Sequence, residues 1–422
     1  VQQDHRSQIR LTTGQLAGII VVTVLIAAVL TFGFANVYLV EDKPTNGDVV
    51  TEADNYPELV RAINLIKENY VDMDAADVEK MIEGAIEGAI ASTGDRYSTY
   101  FDASALADFR QETVEGEYSG IGASILDVEG YVTIMVPFEG TPAATTPFEG
   151  AASDDPVGLR PGDRVLTVDG VDVVGMSAEH VAEMIRGPVG EEVQVEIERP
   201  ADDGDLLLTF RFERDEVEIP TVDSEVVDGD VGVLSITRFT GRTPDQVHEH
   251  LNDLEDQNVS SIIIDLRNNP GGTLEDCITV ADIFLPEGVV LHVVGRGDES
   301  DEIHVGGDAY PKPLVVLVNE FTASGGEILA GALREQMDVP LIGNTTFGKG
   351  SVQRLFYLDP DRPTGMKLTT ERYLTPSGYS IEEEGGLQVD YEVPDPEDGL
   401  YGDLEADQQL QKALEVLRER ME

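Results

Sequence analysis

Two short segments hold residue types that could do covalent chemistry together. Ser324 stands in TASGGEI (Thr322–Ile328), and Lys349 stands in FGKGSVQ (Phe347–Gln353). The run Leu314–Val318 is β-branched and Leu only, the pattern of a strand buried on both faces. A helix is predicted to start at Ser324, so the serine sits at a strand-to-helix elbow. There its Oγ can project, and the N–H groups of the first helical turn point at it. Taken alone, Ser324 could simply cap its helix, with Glu327 completing a capping box. Taken alone, Lys349 could be an exposed loop lysine. Scarcity argues otherwise: the chain has 7 Lys against 21 Arg, and this one lies between two glycines in an apolar stretch. A serine with a lysine base is an alternative to Ser-His-Asp. The lysine must then be neutral. Bringing it from its ordinary value near 10.4 to about 7.5 requires a burial penalty on the ammonium of about 4 kcal/mol. Phe347, Val352 and Leu355 are the candidate walls.

These motifs resemble the C-terminal processing peptidases (tail-specific proteases) of serine peptidase family S41. The resemblance covers about residues 55–395. It implies that Ser324 is the nucleophile, Lys349 the general base and Gln353 the residue that orients the lysine. The family's SASASEI is TASGGEI here. DLRNNPGG (Asp265–Gly272) could be a plain turn by itself. Beside the other motifs it resembles the family segment whose last glycines help hold the oxyanion, which implies that role for the N–H of Gly271, paired with that of Gly325. TTERYLTPSGYSI (Thr369–Ile381) resembles the family's TTARYYTPSGRSI, and Val389 stands where the family usually has a proline. GDRYSTYF (Gly94–Phe101) reads only as a packed aromatic loop, and resembles the segment that precedes the PDZ domain in this family.

Glu117–Arg199 reads as a small β-rich module with a helix from Ser177 to Ile185, and resembles a PDZ domain. Ser119, Gly120, Ile121 and Gly122 match its carboxylate-binding loop, where a row of backbone N–H groups is needed. A peptide would add as a strand beside Ile121–Ile125. PFEGTPA at 137–143 recurs as PFEGAAS at 147–153, a local duplication that leaves the groove's accessibility open. Arg186, just past the helix, is a candidate to signal toward the core, though an exposed arginine is the plainer reading.

The expected fold class is mixed α/β. The expected domains are a transmembrane anchor (11–40), a linker (41–54), a helical cap region (55–115), the PDZ domain (116–200), the peptidase core (201–396) and a C-terminal helix and tail (397–422). Leu11–Val40 has no charged residue, with Arg6 and Arg10 before it and Glu41, Asp42 and Asp48 after. That length spans a bilayer, and the flanking charges put the N-terminus in the cytoplasm and the remainder outside. A cleaved signal is the alternative.

Formal charge is −54 with a pI near 4.1. The acidity is spread over segments with clear strand and helix periodicity, which disfavours a disordered acidic chain. It points to a halophilic setting, since at 1 M salt the screening length falls to roughly 3 Å. It also disfavours nucleic acid as a partner. Cys277, the one cysteine, permits no intrachain disulfide and lies in an apolar stretch. The six histidines form no catalytic or zinc pattern: His248 and His250 are two apart on a helix and point apart. No cofactor and no metal are expected. The expected partners are proteins or peptides with a free C-terminus; homo-oligomerisation is left open. The rival readings are a catalytically silent, membrane-tethered PDZ adaptor and a core that binds without cleaving.

Overall fold

The computed structural model describes residues 37–39, 57–72, 77–128, 130–152, 157–201, 204–297, 299–359, 363–396 and 401–421. Its central sheet runs in the order β11 (Val222–Val227), β12 (Val231–Ile236), β13 (Ser261–Asp265), β16 (Leu314–Val318), β17 (Leu341–Gly343), β20 (Tyr391–Glu392). From β12 onward neighbouring strands are parallel; only β11 is antiparallel. The continuous apolar runs reflect burial on both faces. Ile262, Ile264, Leu314, Val316 and Val318 share one core with helices α6 (Thr243–Asp256), α7 (Leu274–Phe284) and α8 (Gly325–Met337). Ile263, Val315, Leu317 and Ile342 face the other way, onto helix α10 (Gln408–Met421).

Parallel neighbours end at the same edge. The segments that leave β13, β16 and β17 are therefore brought together at the carboxyl ends of the strands, where open α/β sheets bind ligands. Those segments carry Gly271, Ser324 and Lys349.

A second sheet runs β1 (Val37–Leu39), β18 (Ser351–Asp359), β19 (Thr364–Leu374), β14 (Gly288–Val294), β15 (Ser300–Val305), with β2 (Thr99–Phe101) also on β19. Helix α3 (Ala103–Phe109) packs Leu106 and Phe109 against Leu355 of this sheet. Helices α1 (Pro57–Asn69) and α2 (Val78–Ala91) precede it, and α1 buries none of its residues.

The small module has the sheet β4 (Ala123–Val128), β5 (Tyr131–Pro137), β6 (Arg164–Val168), β8 (Glu192–Arg199), β9 (Leu206–Glu213), with β7 (Val171–Asp172) on β6 and helices α4 (Pro142–Thr145) and α5 (Ala178–Ile185). A ribbon of β3 (Glu117–Gly120) with β10 (Asp215–Glu218) joins it to the core. The expected boundary at residue 200 is corrected: β9 pairs with β8 along its whole length, and Phe210 and Phe212 are buried in the module's core. The module therefore extends to Glu213.

Of the expected anchor, Val37–Leu39 are strand, in parallel register with Gln353–Leu355; the remainder of 11–40 lies outside the described residues. Among the described residues no helix is long and apolar enough to cross a membrane.

The C-terminal helix begins at Gln408, where the Asp407 carboxylate accepts the N–H of Leu410 as a cap. The same carboxylate accepts from Arg267 at 2.8 Å, and Arg267 also binds Asp265. Both Arg267 and Asp407 are buried. Burial disfavours the guanidinium, but Asp265 and Asp407 more than offset it and keep it charged. R267A would leave Asp407 buried without its cation. We expect it to destabilise the core by about 3–5 kcal/mol, measured as a lowered chemical-denaturation midpoint; an unchanged midpoint would contradict this account of the clamp.

Candidate active site

Ser324 is the N-cap of α8, with φ 55° and ψ −116°, a backbone conformation rare for a residue with a side chain. The chain holds it there by hydrogen bonds from both flanks. The Thr322 hydroxyl donates to the Leu266 carbonyl (2.8 Å), the Ala323 N–H donates to the Asn269 carbonyl (2.8 Å), and the Asn268 N–H donates to Asn319 Oδ1 (2.9 Å). The elbow after β16 is thus stitched to the DLRNNPGG loop after β13.

Gly271 closes that contact. A Cβ added there would lie 2.7 Å from Ser324 Cβ and 2.9 Å from Gly325 N, and its φ of 100° disfavours any side chain. Gly271, Ser324 and Gly325 are therefore one cluster. In this arrangement the Gly271 N–H donates to Asn269 Oδ1 at 2.7 Å. The expected oxyanion donor is occupied by a neighbouring amide.

Glu327 joins serine and lysine. Its carboxylate is fully buried and accepts four hydrogen bonds: from Ser324 N–H (2.9 Å), Lys349 N–H (3.0 Å), Gly348 N–H (2.7 Å) and the Thr346 hydroxyl (2.6 Å). Burial pushes its pKa up to about 7 against these stabilising donors. Sequence reading saw here only a helix cap. Tyr373, on β19, makes a second tie: its hydroxyl donates to the carbonyls of Lys349 and Ser324. Its motif was legible, but its position was not.

Lys349 is 3% exposed. Burial is the main cause that lowers its pKa to about 7; the charge of Lys367 adds to it, while Glu327 and Asp95 oppose. Val352 and Leu355 are buried as expected, but Phe347 is 44% exposed. Its ring instead carries Arg96. The wall that sequence reading missed is Tyr97, whose ring centroid lies 4.9 Å from Lys349 Nζ. The segment Gly94–Phe101 thus covers the lysine. Beside it lies a cavity of about 280 Å³ lined in part by Asp95, Ser98, Ser351, Thr369 and Arg372.

Gln353 is buried, but its amide donates to Ser351 Oγ (3.0 Å) and Thr369 Oγ1 (2.9 Å), and its Oε1 has no partner. The expected orienting bond to Lys349 is not formed through that oxygen. The antiparallel pairing of Gln353 with Thr369 turns its amide toward β19.

In the small module, β4 is an edge strand with α5 packed alongside. Asp127 of β4 accepts the N–H of Ala178 at the start of α5. Of the expected carboxylate loop, Ser119 and Gly120 pair with Glu216 and Asp215, and the Tyr118 ring packs on Gly120. The Ile121 carbonyl accepts from Ala143 and the Gly122 carbonyl from Phe138. The second copy of the duplication docks on the opposite edge: Glu149 N–H donates to Thr209 O, and Phe148 meets Phe210 edge-on. Arg186 reaches Glu112 at 2.5 Å and lies over the Tyr118 ring. Cys277 is buried, and its thiol donates to the Gly325 carbonyl behind the elbow.

A serine on a strained elbow and a buried lysine with a depressed pKa are features that a serine hydrolase can use. Comparison with known proteins narrows the class. The profile of Peptidase family S41 matches residues 230–393, that of a PDZ domain residues 154–199, and that of the Activating protease CtpB N-terminal domain residues 29–105. The carboxy-terminal processing protease CtpA of Bacillus subtilis (strain 168) is 35% identical over 89% of this chain and 77% of its own length. The carboxyl-terminal-processing protease of Synechocystis sp. (strain ATCC 27184 / PCC 6803 / Kazusa) is 33% identical over 84% of this chain and 80% of its own. Among solved structures, the photosystem II D1 C-terminal processing protease is 27% identical, with a TM-score of 0.47 over 84% of this chain and 96% of that one. The chain belongs to peptidase family S41 and is a serine peptidase of the carboxy-terminal processing class.

Two substitutions test the cluster. Glu327→Gln places an amide N–H₂ against backbone N–H donors, each unmet buried donor costing about 1–3 kcal/mol. Gly271→Ala drives a methyl into Ser324. We expect each to lower kcat/KM by at least roughly 100-fold while far-UV circular dichroism stays native. Either variant keeping wild-type turnover would show that the cluster does not position the nucleophile.

Proposed function

We propose that the chain is a membrane-anchored endopeptidase that cuts proteins with unstructured, free C-termini by a Ser324–Lys349 dyad, on the outer face of a membrane. The observation that carries this is the buried Glu327 carboxylate, which binds the backbone of nucleophile and base at once.

Ser324 Oγ attacks the scissile carbonyl carbon, and neutral Lys349 takes its proton. The oxyanion is held by the N–H groups of Gly325 and Gly271. Substrate must draw the Gly271 N–H from Asn269 Oδ1, so the hole forms as the tetrahedral intermediate forms. The protonated Lys349 then gives its proton to the leaving amine. Water repeats the sequence on the acyl-enzyme and regenerates Ser324. Ser324 is itself fully buried. A polypeptide therefore reaches it only when covering elements move, and occupancy of the PDZ groove is the natural trigger. Arg186, bridged to Glu112 in the segment between α3 and β3, supports that connection.

The substrate tail adds as a strand on the free edge of β4, against α5, with its carboxylate at the Ser119–Gly122 loop. Spread acidity and scarce lysine support a high-salt setting, in which surface repulsion is screened.

An unfolded reporter with a free C-terminus, assayed in molar salt, tests the reading. Ser324→Ala and Lys349→Ala should each be inert while folded, and amidating the reporter's C-terminus should raise KM. In wild type, kcat/KM should rise about tenfold per pH unit up to about 7 and then level, because the neutral lysine is the active form. Cleavage surviving in Ser324→Ala would name the wrong nucleophile. A folded wild type that binds tails and cuts nothing would move the silent-adaptor reading ahead. Full structure and activity without added salt would overturn the high-salt part.

A further inference from the structure

Lys349 and Lys367 are both buried, at 3% and 1% exposure. Lys367 is on β19, paired with Leu355 on one side and Thr99 on the other. It is two residues along from Thr369, which receives the Gln353 amide. Its Nζ stands 5.6 Å from the Phe109 ring centroid and 5.9 Å from that of Phe101. Those rings stack on each other at 4.9 Å. An ammonium close to aromatic rings is stabilised by their quadrupoles, at a cost in lost hydration. The sequence drew no attention to this residue, because MKLTT reads as an ordinary strand.

Lys367 lies under the same covering segment as Lys349: Tyr97 sits over Lys349, and Thr99, two residues on, pairs with Lys367. In so buried a region like charges interact strongly. We propose that Lys367 is a positioning residue for catalysis, a second buried cation that keeps Lys349 in the neutral form able to take the serine proton. The proposal rests on Lys349 being the base.

The pair works as two like charges that resist full ionisation together. A neighbouring cation is one recognised way to activate a lysine. Burial brings Lys367 itself down to about 8, with Asp95 opposing. With Lys367 charged beside the aromatic rings, its repulsion favours the neutral form of Lys349. Once Lys349 has taken the serine proton, the same repulsion favours its transfer to the leaving amine.

The other charged and titratable groups around the pair are Asp95, Arg96 and Tyr97 on the covering segment, Glu327 on α8, Tyr373 on β19, and Glu382 at the start of helix α9 (Ile381–Glu384). Asp95 and Glu327 act against Lys367 at Lys349, and Arg96 acts with it.

The test is the pH profile of kcat/KM for Lys367→Met and Lys367→Arg in molar salt, beside Lys349→Ala. Lys367→Met should move the acid limb upward by about one pH unit, lowering kcat/KM at pH 6 roughly tenfold while the alkaline plateau stays. Lys367→Arg retains the charge and should restore the wild-type limb. A limb unmoved in a folded Lys367→Met, with only the plateau reduced, would make Lys367 a structural residue and overturn the proposal. Should Lys367→Met not fold, Lys367→Gln is read the same way. The rate at which a fluorophosphonate labels Ser324 across pH gives the same limb without peptide turnover. Turnover persisting in Lys349→Ala would instead fault the base assignment, an outcome separate from an unmoved limb in an enzyme that needs Lys349.

Discussion

The active region depends on one buried carboxylate. Glu327 lies on the first turn of α8 and gathers four donors from two segments that leave different strands. Its burial is offset by hydrogen bonds from three backbone N–H groups and a hydroxyl. That arrangement is unforgiving. Each donor loses its acceptor if the lysine loop moves relative to the serine elbow, so the two segments are held in one geometry. The strained backbone at Ser324 persists because its surroundings over-determine it.

The remaining architecture brings those segments to the carboxylate. Parallel strands end on one edge, so β13, β16 and β17 deliver the glycine loop, the serine elbow and the lysine loop side by side. The second sheet continues directly from the lysine loop through β18, and β19 returns Tyr373 to tie the two carbonyls. The PDZ module enters through the β3–β10 ribbon and two ion pairs, Arg186 with Glu112 and Arg242 with Glu117. It therefore touches the core through polar contacts at one side, the kind of interface that permits relative motion.

Elements whose pattern is local were legible from sequence. Leu314–Val318 was placed to the residue because only a doubly buried strand carries five consecutive apolar β-formers. The serine, the lysine and the glycine loop were legible only together, through the resemblance of their three motifs to the family, since each alone reads as a cap, a loop lysine or a turn. What was not legible depends on contacts distant in sequence. Tyr97 lies over Lys349 only because β2 pairs with β19. Lys367 is buried only because α3 folds over the same strand. Phe347 is apolar and adjacent to the lysine, yet it points outward, because Gly348 turns the chain and its N–H is taken by Glu327. Gln353 faces β19 for reasons of register, which no single segment encodes. The module boundary lies beyond residue 200 because β9 pairs with β8 along its whole length, a contact the sequence of β9 alone does not reveal.

The electrostatics operate on two scales that oppose each other. A chain with formal charge −54 surrounds its lysines with a field that favours protonation. A nucleophilic serine with a lysine base needs the reverse. Surface charges act through water and ions, and beyond a screening length of roughly 10 Å at 0.1 M salt, shorter still at higher salt, they contribute little. Desolvation and a neighbouring buried cation act where water and ions do not enter, and are screened far less. The lysine chemistry can therefore sit inside a strongly acidic protein, provided that its pocket is sealed. The cover of Arg96 and Tyr97 contributes to that seal, and Lys349 is 3% exposed. Hence the segment Gly94–Phe101, remote in sequence from Lys349, belongs to the electrostatics of that lysine as much as the residues beside it.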